Sequence, residues 1–125
     1  MKKKKILVLG ASGLLGRNCV QILNQKYNIC AHFHQRSYEF EKIKKVSFNL
    51  FNKKKVDTFL SNFRPNIVIN ASGFTNVEKC EIQKKKAYKI NVGINDIFSR
   101  LSSKFTFKYI SISSDHLFDE KHKLK

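Results

Sequence analysis

Acidic residues are scarce in this chain. Nine Asp and Glu stand against 25 Lys and Arg in 125 residues, giving a formal net charge of +16. Proline occurs once and glycine five times, which excludes collagen-like and proline- or glycine-rich low-complexity chains. The three cysteines, Cys19, Cys30 and Cys80, are widely separated. An odd number of scattered thiols suits a reducing cytoplasm and argues against a disulfide framework. No apolar run approaches the roughly 20 residues that span a bilayer, so no membrane partner is expected. The opening "MKKKKILVLGASGLLG" is basic and then apolar, like a secretory leader. However, Gly10, Ser12, Gly13 and Gly16 interrupt the apolar run, and no small-residue cleavage site follows at Arg17-Asn18, so a cytoplasmic protein is expected.

Arginine is scarce as well, being confined to positions 17, 36, 64 and 100. The charge is therefore lysine charge, in short runs at 2–5, 53–55, 84–86 and 121–125. A basic balance this strong can mark a nucleic-acid partner. Dispersed runs without an RNA-binding aromatic signature are read instead as a solvated surface, and nucleic acid is not expected.

What the chain does have is enough apolar material for one core: 42% of it is hydrophobic, with 11 phenylalanines. Apolar segments alternate between two periods. Ile6 to Leu9, Ile29 to Phe33, Val46 to Phe48, Ile67 to Ile69 and Phe107 to Ile112 read as strands. Leu15, Cys19, Ile22 and Leu23 recur at helical spacing, as do Val56, Phe59, Leu60 and Phe63. Ala87, Ile90, Ile94, Ile97, Phe98 and Leu101 mark a long amphipathic helix. This succession predicts an α/β Rossmann-type, doubly wound parallel sheet, with right-handed crossovers giving strand order 3-2-1-4-5. Residues 1–125 form one such domain.

Between the first strand and the first helix lies "GASGLLG", in which Gly10, Gly13 and Gly16 form G-x-x-G-x-x-G. A glycine triplet alone says little, but strand before and helix after is the context that a dinucleotide-binding loop requires. Gly10 permits the tight turn, Gly13 lets backbone approach a pyrophosphate, and Gly16 lets the helix pack on the strand. The helix N-terminus offers unpaired N–H groups and a partial positive charge to phosphate, and Ser12 adds a hydroxyl donor.

The G-x-x-G-x-x-G spacing resembles the extended short-chain dehydrogenase/reductase superfamily. Within it, the chain looks most like the dTDP-4-dehydrorhamnose reductase branch of sugar-nucleotide reductases. Three stretches carry the resemblance, in the family's order: "ILVLGASGLLGR", "PNIVINASGFTNVEKCE" and "YISISSDHLFD". The middle one is the most specific, through Thr75, Asn76, Val77, Cys80 and Glu81.

The resemblance implies a nicotinamide cofactor and a sugar-nucleotide substrate. Gly10, Ser12, Gly13, Leu14, Leu15 and Gly16 would line the pyrophosphate loop. After the second strand, "HFHQRSYEF" has no acid before Glu39, and Arg36 is the nearest arginine. An acid there would bind the ribose 2′-hydroxyl of NAD, whereas an arginine fork suits the 2′-phosphate of NADP, so NADP(H) is favoured over NAD(H). Asn49 stands where the family usually has an acid that accepts a hydrogen bond from adenine; its amide oxygen can still accept one. Leu50 would pack on the adenine, and Ala71, Ser72 and Gly73 would form the small-residue loop beneath the ribose and phosphates. Asn91 matches an asparagine that braces the sheet. No metal site is expected: Cys30, His32 and His34 alternate along a strand, but not at the spacing of structural zinc sites.

By the same resemblance, Ser114 is the catalytic hydroxyl that hydrogen-bonds the substrate carbonyl. Its partners in the family are a tyrosine and, four residues on, a lysine. No Y-x-x-x-K follows Ser114; Tyr38 and Lys42 have that spacing but lie far upstream, just after the second strand, and Tyr27, Tyr88 and Tyr109 have no lysine at it. The expectation is therefore an N-terminal fragment, truncated after the fifth strand, without the proton donor or the substrate-binding portion. A non-catalytic dinucleotide-binding regulatory subunit is the alternative, and a basic nucleic-acid-binding module a weaker one. The bare fifth strand would favour self-association and poor solubility.

Overall fold

A computed structural model describes residues 3–11, 14–33, 43–73 and 81–113. Its elements run β1 (Lys5–Leu9), α1 (Leu14–Leu23), β2 (Asn28–His32), β3 (Lys44–Val46), α2 (Lys53–Phe63), β4 (Ile67–Gly73), α3 (Glu81–Phe105) and β5 (Lys108–Ser113). The five strands form one sheet in the order β3-β2-β1-β4-β5, every neighbouring pair parallel. This is the order expected from alternating elements and right-handed crossovers.

Strand β1 occupies the centre, and its apolar run is buried from Ile6 to Leu9. Alternation divides it between two cores. Leu7 and Leu9 join Val56, Leu60, Phe63, Ile94 and Phe98 beneath α2 and α3. Ile6 and Val8 join Val20, Ile29 and Ile69 on the side of α1. A strand covered on both faces needs this continuous apolar run. Asn66 gathers the strand starts: its side-chain oxygen accepts from Lys5 N–H at 2.8 Å, its N–H donates to the Lys5 carbonyl, and its carbonyl accepts from Lys108 N–H.

Several expectations need correction: Ile90 is 44% exposed instead of lying on the buried face of α3, and Ala71, Ser72 and Gly73 end strand β4 instead of forming a loop after it. The third strand covers Lys44–Val46, not Val46 to Phe48. Phe48 leaves the ladder because the His32 ring takes its backbone: Nε2 lies 2.7 Å from the Phe48 carbonyl oxygen and 3.4 Å from its amide nitrogen. In α1, Ile22 does not face the core but is 70% exposed. The close approach of Gly16 to the end of β1 fixes the buried stripe along Gly16, Val20 and Leu23, and Ile22 falls on the other side.

Candidate nucleotide site

The strand order reverses beside β1, and ligands of open α/β sheets bind at such a switch point, beyond the C-terminal strand ends. Gly10 stands there with φ +74°, a conformation that side chains disfavour. A Cβ on Gly10 would lie 2.6 Å from the Ser72 Cα, against the end of β4. A Cβ on Gly16 would lie 2.2 Å from the Gly10 carbonyl oxygen. Loop, helix and strand end thus meet backbone to backbone, and two glycines make the contact possible. Ala11 N–H donates to the His32 carbonyl at 3.0 Å, tying the loop to β2 as well. Helix α1 begins at Leu14, directly after the loop.

The opposite wall is polar, with Asn70 and Asn91 buried and Ser72, Asn95 and Tyr109 half-buried. Asn70, with no exposed surface, sits in β4 after an apolar run. Its carboxamide oxygen accepts from the Ser72 N–H at 3.0 Å and from the Ser72 hydroxyl. Its carboxamide nitrogen donates toward Asn91 Oδ1 at 3.0 Å, Asn95 Oδ1 at 3.1 Å and Tyr109 Oη at 3.1 Å. Tyr109 in turn donates to Asn95 Oδ1 at 2.5 Å. Burial raises the Tyr109 pKa, partly opposed by hydrogen bonds from Asn70 and Ser111. The phenol therefore keeps its proton in the neutral range.

Gly10, Gly16, Ala71 and Ser72 converge here, with Leu15 half-buried in the first turn of α1. Asn49 and Leu50 lie past the end of β3, two strands from β1. Asn49 is exposed, and its side chain accepts from Phe51 N–H at 2.9 Å. Leu50 is buried in the core beneath α2 and α3. Leu14 and Gly73 are described as backbone, the first opening α1 and the second paired with Ser113 across β4 and β5. Ser12, Gly13, Arg36 and Ser114 lie outside the described residues, as do Thr75, Asn76, Val77 and Cys80. Sequence reasoning missed Asn70, Asn95 and Tyr109. A polar residue following an apolar run on a central strand, and asparagines four apart on one helix, were the available signals.

Among the described residues no cluster of His, Cys, Asp or Glu could hold a metal, and no helix is long and apolar enough to cross a membrane. The Cys30 thiol is pushed up to about 11 by burial, with Lys44 acting in the other direction, so it offers no nucleophile at neutral pH.

A family model described as RmlD substrate binding domain matches residues 4–124. The chain is 33% identical over 118 residues to the spore coat polysaccharide biosynthesis protein SpsK of Bacillus subtilis, covering 94% of this chain and 38% of that protein. It is 27% identical to a dTDP-4-dehydrorhamnose reductase of Aggregatibacter actinomycetemcomitans, covering 92% of this chain and 36% of the reductase. A third relative, methionine adenosyltransferase 2 subunit beta of Mus musculus, is 25% identical over 118 residues, covering 93% of this chain and 34% of the subunit. Among solved structures, a hypothetical dTDP-4-dehydrorhamnose reductase from Sulfolobus tokodaii superposes with a TM-score of 0.70 at 30% identity, over 87% of this chain and 38% of that one. The chain thus spans somewhat over a third of the length of these relatives.

Proposed function

The chain belongs to the RmlD substrate binding domain family, and on that premise we propose that it forms the dinucleotide-binding part of an NADPH-dependent reductase of a nucleotide-linked 4-keto-6-deoxy sugar. One observation carries this reading. Gly10, at positive φ, packs its backbone against Ser72, and Gly16 packs against Gly10, at the point where the strand order reverses. Such a turn leaves room for a pyrophosphate beside backbone N–H groups and a helix N-terminus.

The bound nicotinamide would supply hydride to the sugar carbonyl. This chain's own part is to hold the dinucleotide: the glycine loop on the phosphates, Arg36 on the 2′-phosphate, the exposed Asn49 at the adenine with Leu50 buried behind it in the core, and Ala71, Ser72 and Gly73 beneath the ribose. Ser114 would orient the carbonyl by donating a hydrogen bond. The carbonyl oxygen must also gain a proton, and in this reading a Y-x-x-x-K in the segment that completes the enzyme would give it. A cytoplasmic location fits a reductase fed by soluble NADPH.

Equilibrium titration monitored by dihydronicotinamide fluorescence tests the reading. The expected result is saturable binding of NADPH, tighter than NADH, and loss of that preference in Arg36→Ala. Absence of binding to either dinucleotide would sink it. NADH binding as tightly as NADPH would overturn the cofactor assignment alone. Turnover of a dTDP-4-keto-6-deoxy sugar is expected only when the chain is joined to a segment carrying Y-x-x-x-K.

A second reading is a non-catalytic dinucleotide-binding subunit. It is favoured by the resemblance to a protein named as a subunit beta. Dinucleotide binding together with a stably co-purifying enzyme, and no turnover in the longer chain, would select it over the first.

A further inference from the structure

Strands β4 and β5 lose register between Asn70 and Gly73, where Asn70 pairs with Ser111 and Gly73 with Ser113. Three steps along β4 thus match two along β5, the count of a β-bulge. At that bulge the Ser72 N–H bonds the Asn70 side chain at 3.0 Å. The same backbone lies against Gly10, where a Cβ would come within 2.6 Å of Ser72 Cα. A side chain on β4 therefore bonds the backbone on which the glycine loop packs.

The Asn70 amide can do this only in one orientation. Its two ends are nearly alike in shape, but turned over it would face the Ser72 N–H with its own NH2 group, donor against donor. The choice is made on the far side. The Tyr109 proton is committed to Asn95 Oδ1 at 2.5 Å, so Tyr109 presents a lone pair to Asn70 at 3.1 Å. Asn91 and Asn95 present their carboxamide oxygens at 3.0 and 3.1 Å. Three acceptors demand the NH2 end, which leaves the oxygen for Ser72. At the buried Asn70 and Asn91 such a polar chain holds firmly, because an unmet donor there is costly.

We propose that Asn70 is the positioning residue of the nucleotide loop, and that Tyr109 and Asn95 are the lock that keeps its amide oxygen on Ser72. The loop's spacing is then set from β5 and α3, well away in sequence from the glycines. The consequence for the dinucleotide rests on the binding reading above; the consequence for Ser72 does not.

Amide hydrogen exchange by NMR on the ligand-free chain, paired with dinucleotide titration, separates the two. In Asn70→Leu the Ser72 amide is expected to exchange about a hundred-fold faster, with the Gly10 amide resonance shifted and the amides of Leu7 and Val8 still protected. The dissociation constant for whichever of NADPH or NADH the wild type binds should rise about tenfold, and about threefold in Tyr109→Phe. Tyr109→Phe removes one oxygen atom and serves as the test if Asn70→Leu does not fold. Unchanged Ser72 exchange in the variants would overturn the proposal. So would faster Ser72 exchange with unaltered dinucleotide affinity, which is what a merely structural network would give. A wild type that binds neither dinucleotide would sink the binding reading, and the exchange rates would still decide whether the network shapes the loop.

Discussion

Gly10 shows how much one missing Cβ does here. Its φ of +74° and its 2.6 Å approach to Ser72 exclude a side chain on two separate grounds. A left-handed conformation costs a residue with a Cβ about 1–2 kcal/mol. Forcing a methyl against fixed backbone costs about 1–3 kcal/mol more. Gly10→Ala should therefore lower unfolding stability by about 3 kcal/mol in urea or guanidinium titration, and a loss below about 1 kcal/mol would show that the loop moves aside. These glycines were legible in the sequence because spacing and context identified them. Asn70 was not, because its meaning depends on Asn91, Asn95 and Tyr109, which lie 21 to 39 residues away. Asn95 and Tyr109 are brought to it only by the packing of α3 and β5 on β4.

Elements show the other side of scarce glycine. Helices commonly end on a left-handed glycine, yet α2 is followed by Arg64 with φ 54° and α3 by Thr106 with φ 57°. The bonds of these ends are made: Arg64 N–H reaches the Leu60 carbonyl at 2.9 Å, and Phe107 N–H reaches the Ser102 carbonyl at 3.1 Å. Only the residue type is poor, and a β-branched threonine is the poorer of the two. Thr106→Gly should raise stability by about 1 kcal/mol, read as a higher denaturant midpoint at constant slope. A lower midpoint would mean that the threonine side chain contributes more than its strain costs. The sequence marked α2 well, through Val56, Leu60 and Phe63, which are buried, with Pro65 just past its end. It misplaced β3 because apolar alternation runs through Phe48, while the His32 ring, bonded to the Phe48 backbone, ends the ladder at Val46. Periodicity reports which faces are apolar; it carries no information on which backbone groups a side chain will claim.

For the molecule as a whole, alternation of elements was enough to give the sheet order, because crossover handedness leaves few arrangements once one central strand is apolar throughout. The charge was harder to place. Lysines separated in sequence, among them Lys5, Lys44 and Lys108, stand at the starts of parallel strands, the end of the sheet where the helices terminate. Cations placed there have the sign that complements negative helix ends. Two whole-molecule terms then oppose each other. Strand β5 pairs with β4 on one side only among the described residues, and Ile110 on it is 38% exposed. An open edge beside exposed apolar surface favours pairing with a second copy, while +16 on each chain repels it. Salt weakens only the repulsion, since the screening length falls from about 30 Å at 0.01 M to about 10 Å at 0.1 M. Sedimentation of the chain should therefore show association that strengthens as sodium chloride is raised from about 0.01 to 0.5 M. Ile110→Lys adds charge and removes apolar surface at the strand, and should hold the chain at single-copy mass across the same range. A wild type that stays monomeric at every salt concentration, or an Ile110→Lys chain that associates as strongly as wild type, would rule out pairing through β5.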